Sequence, residues 1–346
     1  MRLFLLTGAG ALLAAGTTLA TDYGSQRTLR IESEATISLA QTRFEMTVDG
    51  EPMEGGFGRG GERSAKTVRT TARTDAFLSS DEGRPTRVRR SFEDVSVRSE
   101  MSFGDETRSD ERAAPLAGVT LELGLDDEGE LEAKVVEGEE PDDHDALTAL
   151  PLTLSVDALL PEAAVEVGDE WELASEAITQ ALSLVLDPKV FPAAEPEEED
   201  REGGGRRGFR SSGAGDGIEF LREAEWEGTA TLQSVEKGED GEIAIVALEI
   251  RASGALPDPE FGGGGGRRRG FLLGSPAFRP ELREGSFEVK LEGELQFAVG
   301  RNPVRLELKG AISTERRTTR DRGDRVMEIE SEQEGELEFV VRVSVE

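Results

Sequence analysis

The chain has no cysteine, a single histidine, a single tyrosine and two tryptophans. Without cysteine there is no disulfide framework, no thiolate nucleophile and no lipid anchored on an N-terminal cysteine. With His144 alone, a histidine-rich zinc site is excluded, and one Ser-His pair is the most that nucleophilic catalysis has to draw on. So few Trp and Tyr also make a poor supply of the aromatic platforms that line sugar-binding clefts.

What the chain does have is carboxylate. Its 346 residues carry 72 Asp and Glu against 40 Lys and Arg, a net charge of -32. Such a surface repels nucleic acid and anionic membranes, so nucleic acid is not an expected partner; polycationic or Ca²⁺-containing partners are favoured, and surplus acid also keeps a secreted protein soluble. Hydrophobic residues make up 36% of the chain, enough for one large or two ordinary domains with a real core.

The first twenty residues have the layout of an export signal. Arg2 supplies the positive start, Leu3 to Ala15 the apolar stretch, and Thr18-Leu19-Ala20 a small-x-small cleavage site, so processing is expected after Ala20. Retention as an anchor is the alternative, although residues 3–20 barely reach spanning length and are diluted by Gly8, Gly10 and Gly16. The expected location is the periplasm or the extracellular space, with no membrane span left after cleavage.

The dominant pattern beyond residue 20 is period-two alternation, which places apolar side chains on one face of a pleated strand. It is clearest in Phe287, Val289, Leu291, Leu295, Phe297 and Val299, with Gly293 on the apolar parity where a bend or bulge is expected. It resumes after Gly300-Arg301-Asn302-Pro303 and runs to Val345, an antiparallel meander. Near the N-terminus, Leu29 to Leu39 share one parity and Phe44 to Val48 the other, which predicts a register change within Ala40 to Arg43. Hairpins are expected across Asp126-Asp127-Glu128-Gly129 and across Lys237 to Gly241. A helix capped by Ser175 is predicted over 175–186, stopped at Asp187-Pro188, and a shorter one over Asp145–Leu150. The fold class is therefore mainly β: two antiparallel curved sheets or incomplete barrels with one or two short helices in the middle. The organisation is signal peptide 1–20, an N-terminal β-rich half 21–150, a linking segment 151–217 and a C-terminal meander half 218–346. A membrane-spanning barrel alternates in the same way, but aromatic girdles are missing here.

Several motifs carry chemistry elsewhere and do not here. Gly56, Gly58, Gly61 and Gly203, Gly205, Gly208 match G-x-G-x-x-G, but neither set is followed by the helical pattern that a dinucleotide site requires. Ser234-Val235-Glu236-Lys237 matches S-x-x-K but runs from strand into turn. His144 lies in an acidic segment suited to the start of a helix, without the spacing of a Ca²⁺ loop. Segments rich in Gly and Arg, with Arg206-Arg207 and Arg267-Arg268-Arg269, are read as insertions able to meet an acidic neighbour in self-association. No catalytic residue, cofactor or metal site is assigned.

The most distinctive local segment runs from Leu160 to Trp171. Gly168-Asp169 predicts a tight turn that returns Trp171 towards Val165 and Val167. Pro161, Val165, Val167, Gly168, Asp169 and Trp171 together resemble the P-x(n)-V-x-V-G-D-x-W segment of uncharacterised exported bacterial β-rich proteins. That resemblance implies strands on either side and a structural role for Pro161, Gly168, Asp169 and Trp171, and it carries no activity. Three functional readings follow, the first two without enzymatic activity: an envelope protein binding an apolar ligand or lipid in its curved sheet, by loose analogy with periplasmic lipoprotein carriers; a structural or interaction protein using its acidic surface and Gly/Arg loops; and a hydrolase with an unidentified carboxylate pair.

Overall fold

The computed structural model describes residues 16–24, 27–52, 63–126, 128–148, 150–187, 189–191, 219–221, 224–238, 241–256, 282–321 and 325–346. The Gly/Arg-rich segments and both G-x-G-x-x-G sets lie outside them.

The strands are β1 Thr28–Val48, β2 Glu51–Pro52, β3 Arg63–Asp81, β4 Arg84–Phe103, β5 Glu106–Ala113, β6 Thr120–Leu125, β7 Leu131–Glu137, β8 Glu170–Leu173, β9 Glu225–Gly238, β10 Gly241–Ala255, β11 Leu282–Ala298, β12 Asn302–Asp321 and β13 Val326–Val345. The only α-helix among the described residues, α1, is Ser175–Leu186, as the 3.6-residue spacing of Ile178, Ala181, Leu182 and Val185 predicts. The thirteen strands form one antiparallel sheet in the order β7-β6-β4-β3-β1-β13-β12-β11-β10-β9-β8, with β2 beside β1 and β5 beside β4. It is mainly β, antiparallel and unclosed, as expected, but it is one continuous sheet where two were expected. What joins the two β-rich halves is a ladder between β1 and β13, from Leu29↔Val345 to Val48↔Met327. The register shift in β1 falls between Gln41 and Arg43, where the parity change placed it.

Gly293 sits in regular register opposite Leu308, without a bulge. Its role is close approach. A Cβ there would fall 1.9 Å from the carbonyl oxygen of Glu307; at Gly310 it would fall 1.7 Å from that of Lys290, and at Gly335 1.8 Å from that of Ser38. The three glycines occupy successive strands, each offset by two residues from the last, all on the apolar parity. A carbonyl can enter that space only if the neighbouring strand is displaced towards the inner face, so the diagonal is a crease along which the sheet bends inward.

The inner face is covered by a cap made of α1, the 3-10 turns His144–Thr148 and Ser155–Leu159, and the segments around them. Leu150, Leu152, Leu154, Val156, Leu159, Ile178, Leu182, Val185 and Phe191 are buried there against Ile31, Val95, Ala230, Leu248, Leu291 and Phe339 of the sheet. Two details of the cap differ from expectation. Ser175 does not cap α1: Ala174 holds that place, and the Ser175 hydroxyl accepts the Trp226 N–H at 3.0 Å, a tertiary bond outcompeting a local one. The shorter helix is a 3-10 turn, too brief to propagate an α-helical ladder.

Candidate functional site

β3 inverts the ordinary rule. Its inner-face residues are Thr67, Arg69, Thr71, Arg73 and Asp75, each 5% exposed or less, while Val68, Ala72 and Ala76 take the opposite, half-buried parity. A polar stripe therefore runs through an apolar face. Arg73 is flanked in register by Ile31 on β1 and Phe92 on β4, and Arg69 by Ala35 and Val97.

Each charge in the stripe has a different lot. Arg90, reaching in from β4, donates from Nε and Nη2 to the two oxygens of Asp75 at 2.8 and 2.9 Å, and from Nη2 to the Pro151 carbonyl at 2.9 Å. Arg69 donates to the Val185 carbonyl at 3.2 Å, and its guanidinium lies 5.3 Å from the Phe191 ring centre. Both arginines thus tie the cap to the sheet through cap carbonyls. Arg73 does not: its Nη2 lies 3.3 Å from the Asp75 carboxylate outside hydrogen-bond geometry, and none of its three nitrogens has a hydrogen-bond partner. Burial, then the neighbouring Arg90 charge, push its pKa down to about 9, so it is still protonated at neutral pH. For Asp75, burial alone would raise the pKa, but Arg73 and Arg90 outweigh it and hold the carboxyl below its usual range.

Next to this stripe stands a second polar group. The chain's sole tyrosine, Tyr23, donates its hydroxyl to Asp157 on the turn Ser155–Leu159 and accepts the Leu154 N–H at 2.6 Å. Thr21 donates to the other Asp157 oxygen at 2.7 Å. The Tyr23 ring packs edge-on against Phe77 of β3, 4.9 Å between centres. Burial pushes the Asp157 carboxyl up to about 6 despite both hydroxyl donors, and burial together with the Asp157 charge pushes the Tyr23 phenol up. The stretch expected to contain the cleavage site is packed too: Leu19 is buried, and Thr17 exchanges backbone hydrogen bonds of 2.7 and 3.0 Å with Val165.

The residues singled out by sequence lie elsewhere. Gly168 adopts φ +97° and Asp169 Oδ2 accepts the Glu166 N–H at 2.8 Å, so the tight turn forms. Trp171 follows on the edge strand β8, half-buried, with its indole N–H donating to the Leu159 carbonyl at 3.1 Å. Val167, expected beneath it, is 60% exposed, because the turn directs it to solvent. Pro161 lies at the end of the 3-10 segment, half-buried. His144 is exposed with Glu140 at 3.3 Å, and Ser234 lies on β9 well inside the strand, not at a helix start. Among the described residues no cluster of three or more His, Asp or Glu is arranged to hold a metal, and no helix is long and apolar enough to cross a membrane.

The buried charges are hidden in the sequence because the apolar residues of T-V-R-T-T-A-R-T-D-A, Val68, Ala72 and Ala76, all lie on the parity that does not face inward, so alternation alone points the wrong face to the core. Only pairing with the unambiguous β1 tells which parity faces inward.

Two cavities frame what the site can do. One, of about 300 Å³, is an open depression on the outer, charged face between Glu292, Arg305 and Lys309. The other, of about 20 Å³, lies at the flank of α1 between Thr179, Ser183, Leu186, Asp187 and Leu221, with no sheet residue in its lining, and holds no more than a water. No protein-family model and no curated protein sequence matches the chain.

Proposed function

We propose that the protein is an exported, non-enzymatic binding protein of the cell envelope that takes an apolar ligand or lipid on the inner face of its sheet, in the place the cap now fills. The observation that carries this reading is the cap itself. An apolar sheet face is ordinarily covered by a second sheet or by regular helices; here a short helix and two 3-10 turns cover it, tied down by side-chain bonds to carbonyls. Such ties break one at a time, without unzipping a strand ladder. With the cap down, the apolar side chains of the cap and of the sheet face are packed together and buried, so binding requires the cap to give way.

Export is supported by the charge and apolar layout of residues 2–20 and by the likeness of residues 160–171 to exported bacterial proteins. The Asp75 carboxylate does not favour a hydrolase, because it is wholly buried with the cap down and both its oxygens are held by Arg90.

The test is native mass spectrometry of protein recovered from an export compartment, followed by titration of the delipidated protein with an uncharged tail-bearing probe such as dodecanol. A co-purifying lipid and saturable dodecanol binding are expected. Finding neither would remove this reading.

A further inference from the structure

Arg73 is a buried cation whose counter-ion is already engaged. Asp75 gives both oxygens to Arg90, at 2.8 and 2.9 Å, while the Arg73 guanidinium, wholly buried, makes no hydrogen bond from Nε, Nη1 or Nη2. Within this triad two cations share one anion, in a setting where an uncompensated charge costs several kcal/mol. Other buried polar atoms are unsatisfied as well. Ser33 Oγ, one inner-face step away on β1 opposite Thr71, is buried without a partner, and so is Ser155 Oγ on the turn that carries Asp157.

We propose that Arg73 receives the anionic head of an amphiphilic ligand, a single carboxylate on an apolar tail, bound on the inner face between β1, β3 and β4. The inference rests on the reading that the inner face binds an apolar ligand, and it adds which end of the ligand is recognised and by what. A guanidinium only donates, so its complement is an acceptor, and a carboxylate accepts two parallel N–H bonds from the planar fork. One negative charge completes the triad, whereas a phosphate monoester brings more than one. Ile31 and Phe92, on either side of Arg73 in register, are apolar, which suits a ligand that is apolar directly beyond its head.

The experiment is calorimetric titration of the delipidated full chain with dodecanoate, dodecanol and dodecyl phosphate at about pH 8, where the carboxylate is ionised. Dodecanoate is expected to bind about tenfold or more tightly than dodecanol, the scale of a charge-assisted hydrogen bond. Arg73→Met is expected to abolish that ratio while dodecanol binding persists, and Arg73→Lys to keep part of it. Equal affinity for dodecanoate and dodecanol in the wild type, or a ratio untouched by Arg73→Met, overturns the carboxylate site and leaves the inner-face reading standing. Tighter binding of dodecyl phosphate overturns the single-charge argument. Binding of none of the three overturns both proposals. The wild-type comparison alone decides the matter should a variant fail to fold.

Discussion

Asp75 is wholly buried and Asp157 half-buried, yet they respond to pH in opposite senses. The Asp157 carboxyl is raised to about 6, so in the folded chain it keeps a proton that the unfolded chain has released. Its contribution therefore turns against folding as pH rises from about 4 to about 6, by an order of 2–3 kcal/mol, and stays constant above that window. Asp157→Asn should remove this slope: urea unfolding at steps across the window should show the variant gaining on the wild type up to about pH 6 and then running parallel. Asp75, held below its usual range by two arginines, contributes stability that is present at neutral pH and lost only as pH falls through its lowered value. Asp75→Asn leaves Arg73 and Arg90 without their shared anion, and a loss of about 3–5 kcal/mol is expected in the same measurement at neutral pH. None of these groups was visible as a site in the sequence. Asp75 is one carboxylate among 72, and what distinguishes it is the Arg90 fork that strand pairing delivers.

At the scale of elements, the sequence was most informative where one parity is plainly apolar. β11 to β13, the hairpins β6–β7 and β9–β10, the register change in β1 and the helix 175–186 follow from periodicity and turn residues alone. The crease was only half legible. Gly293 stood out because it interrupts an apolar series, but its alignment with Gly310 and Gly335 appears only when three strands are placed in register. Gly310→Ala should cost at least 1–3 kcal/mol, since the new methyl meets a backbone carbonyl that cannot rotate away. Gly124→Ala on β6, where the nearest atom is 3.8 Å from the new Cβ, is the control and should lie within about 1 kcal/mol of the wild type. Thermal unfolding of the two variants side by side checks this, and equal losses would mean that the crease tolerates a side chain. The cap was the least legible element, because its bonds run from side chains to carbonyls far away in sequence, as from Arg69 to Val185 and from Arg90 to Pro151.

For the whole molecule, the sheet grades from a paired centre to single edges. β1, β13 and β12 each have a neighbour on both sides along most of their length, whereas β7 and β8 are short and terminal. Hydrogen exchange should therefore be slowest at Ile31–Ile37, Leu306–Ile312 and Leu337–Val343 and fastest at β7 and β8, with cap amides exchanging ahead of the central ladders. Exchange of the cap as slow as the centre would mean that the cap does not open separately. The strands themselves are only partly clothed: β1 beyond Leu39 and β13 before Gly335 contain no buried residue, so the core occupies one portion of a much longer sheet.

The pairing of β1 with β13 has a consequence in time. The middle of the sheet is built from β1 and β13, about three hundred residues apart, so its central ladder cannot assemble until β13 has been made. Either half can form hairpins earlier, but neither can complete its inner face. A chain ordered in this way lacks its central ladder until β13 joins β1, a property that suits the passage through a narrow pore that the proposed export would require.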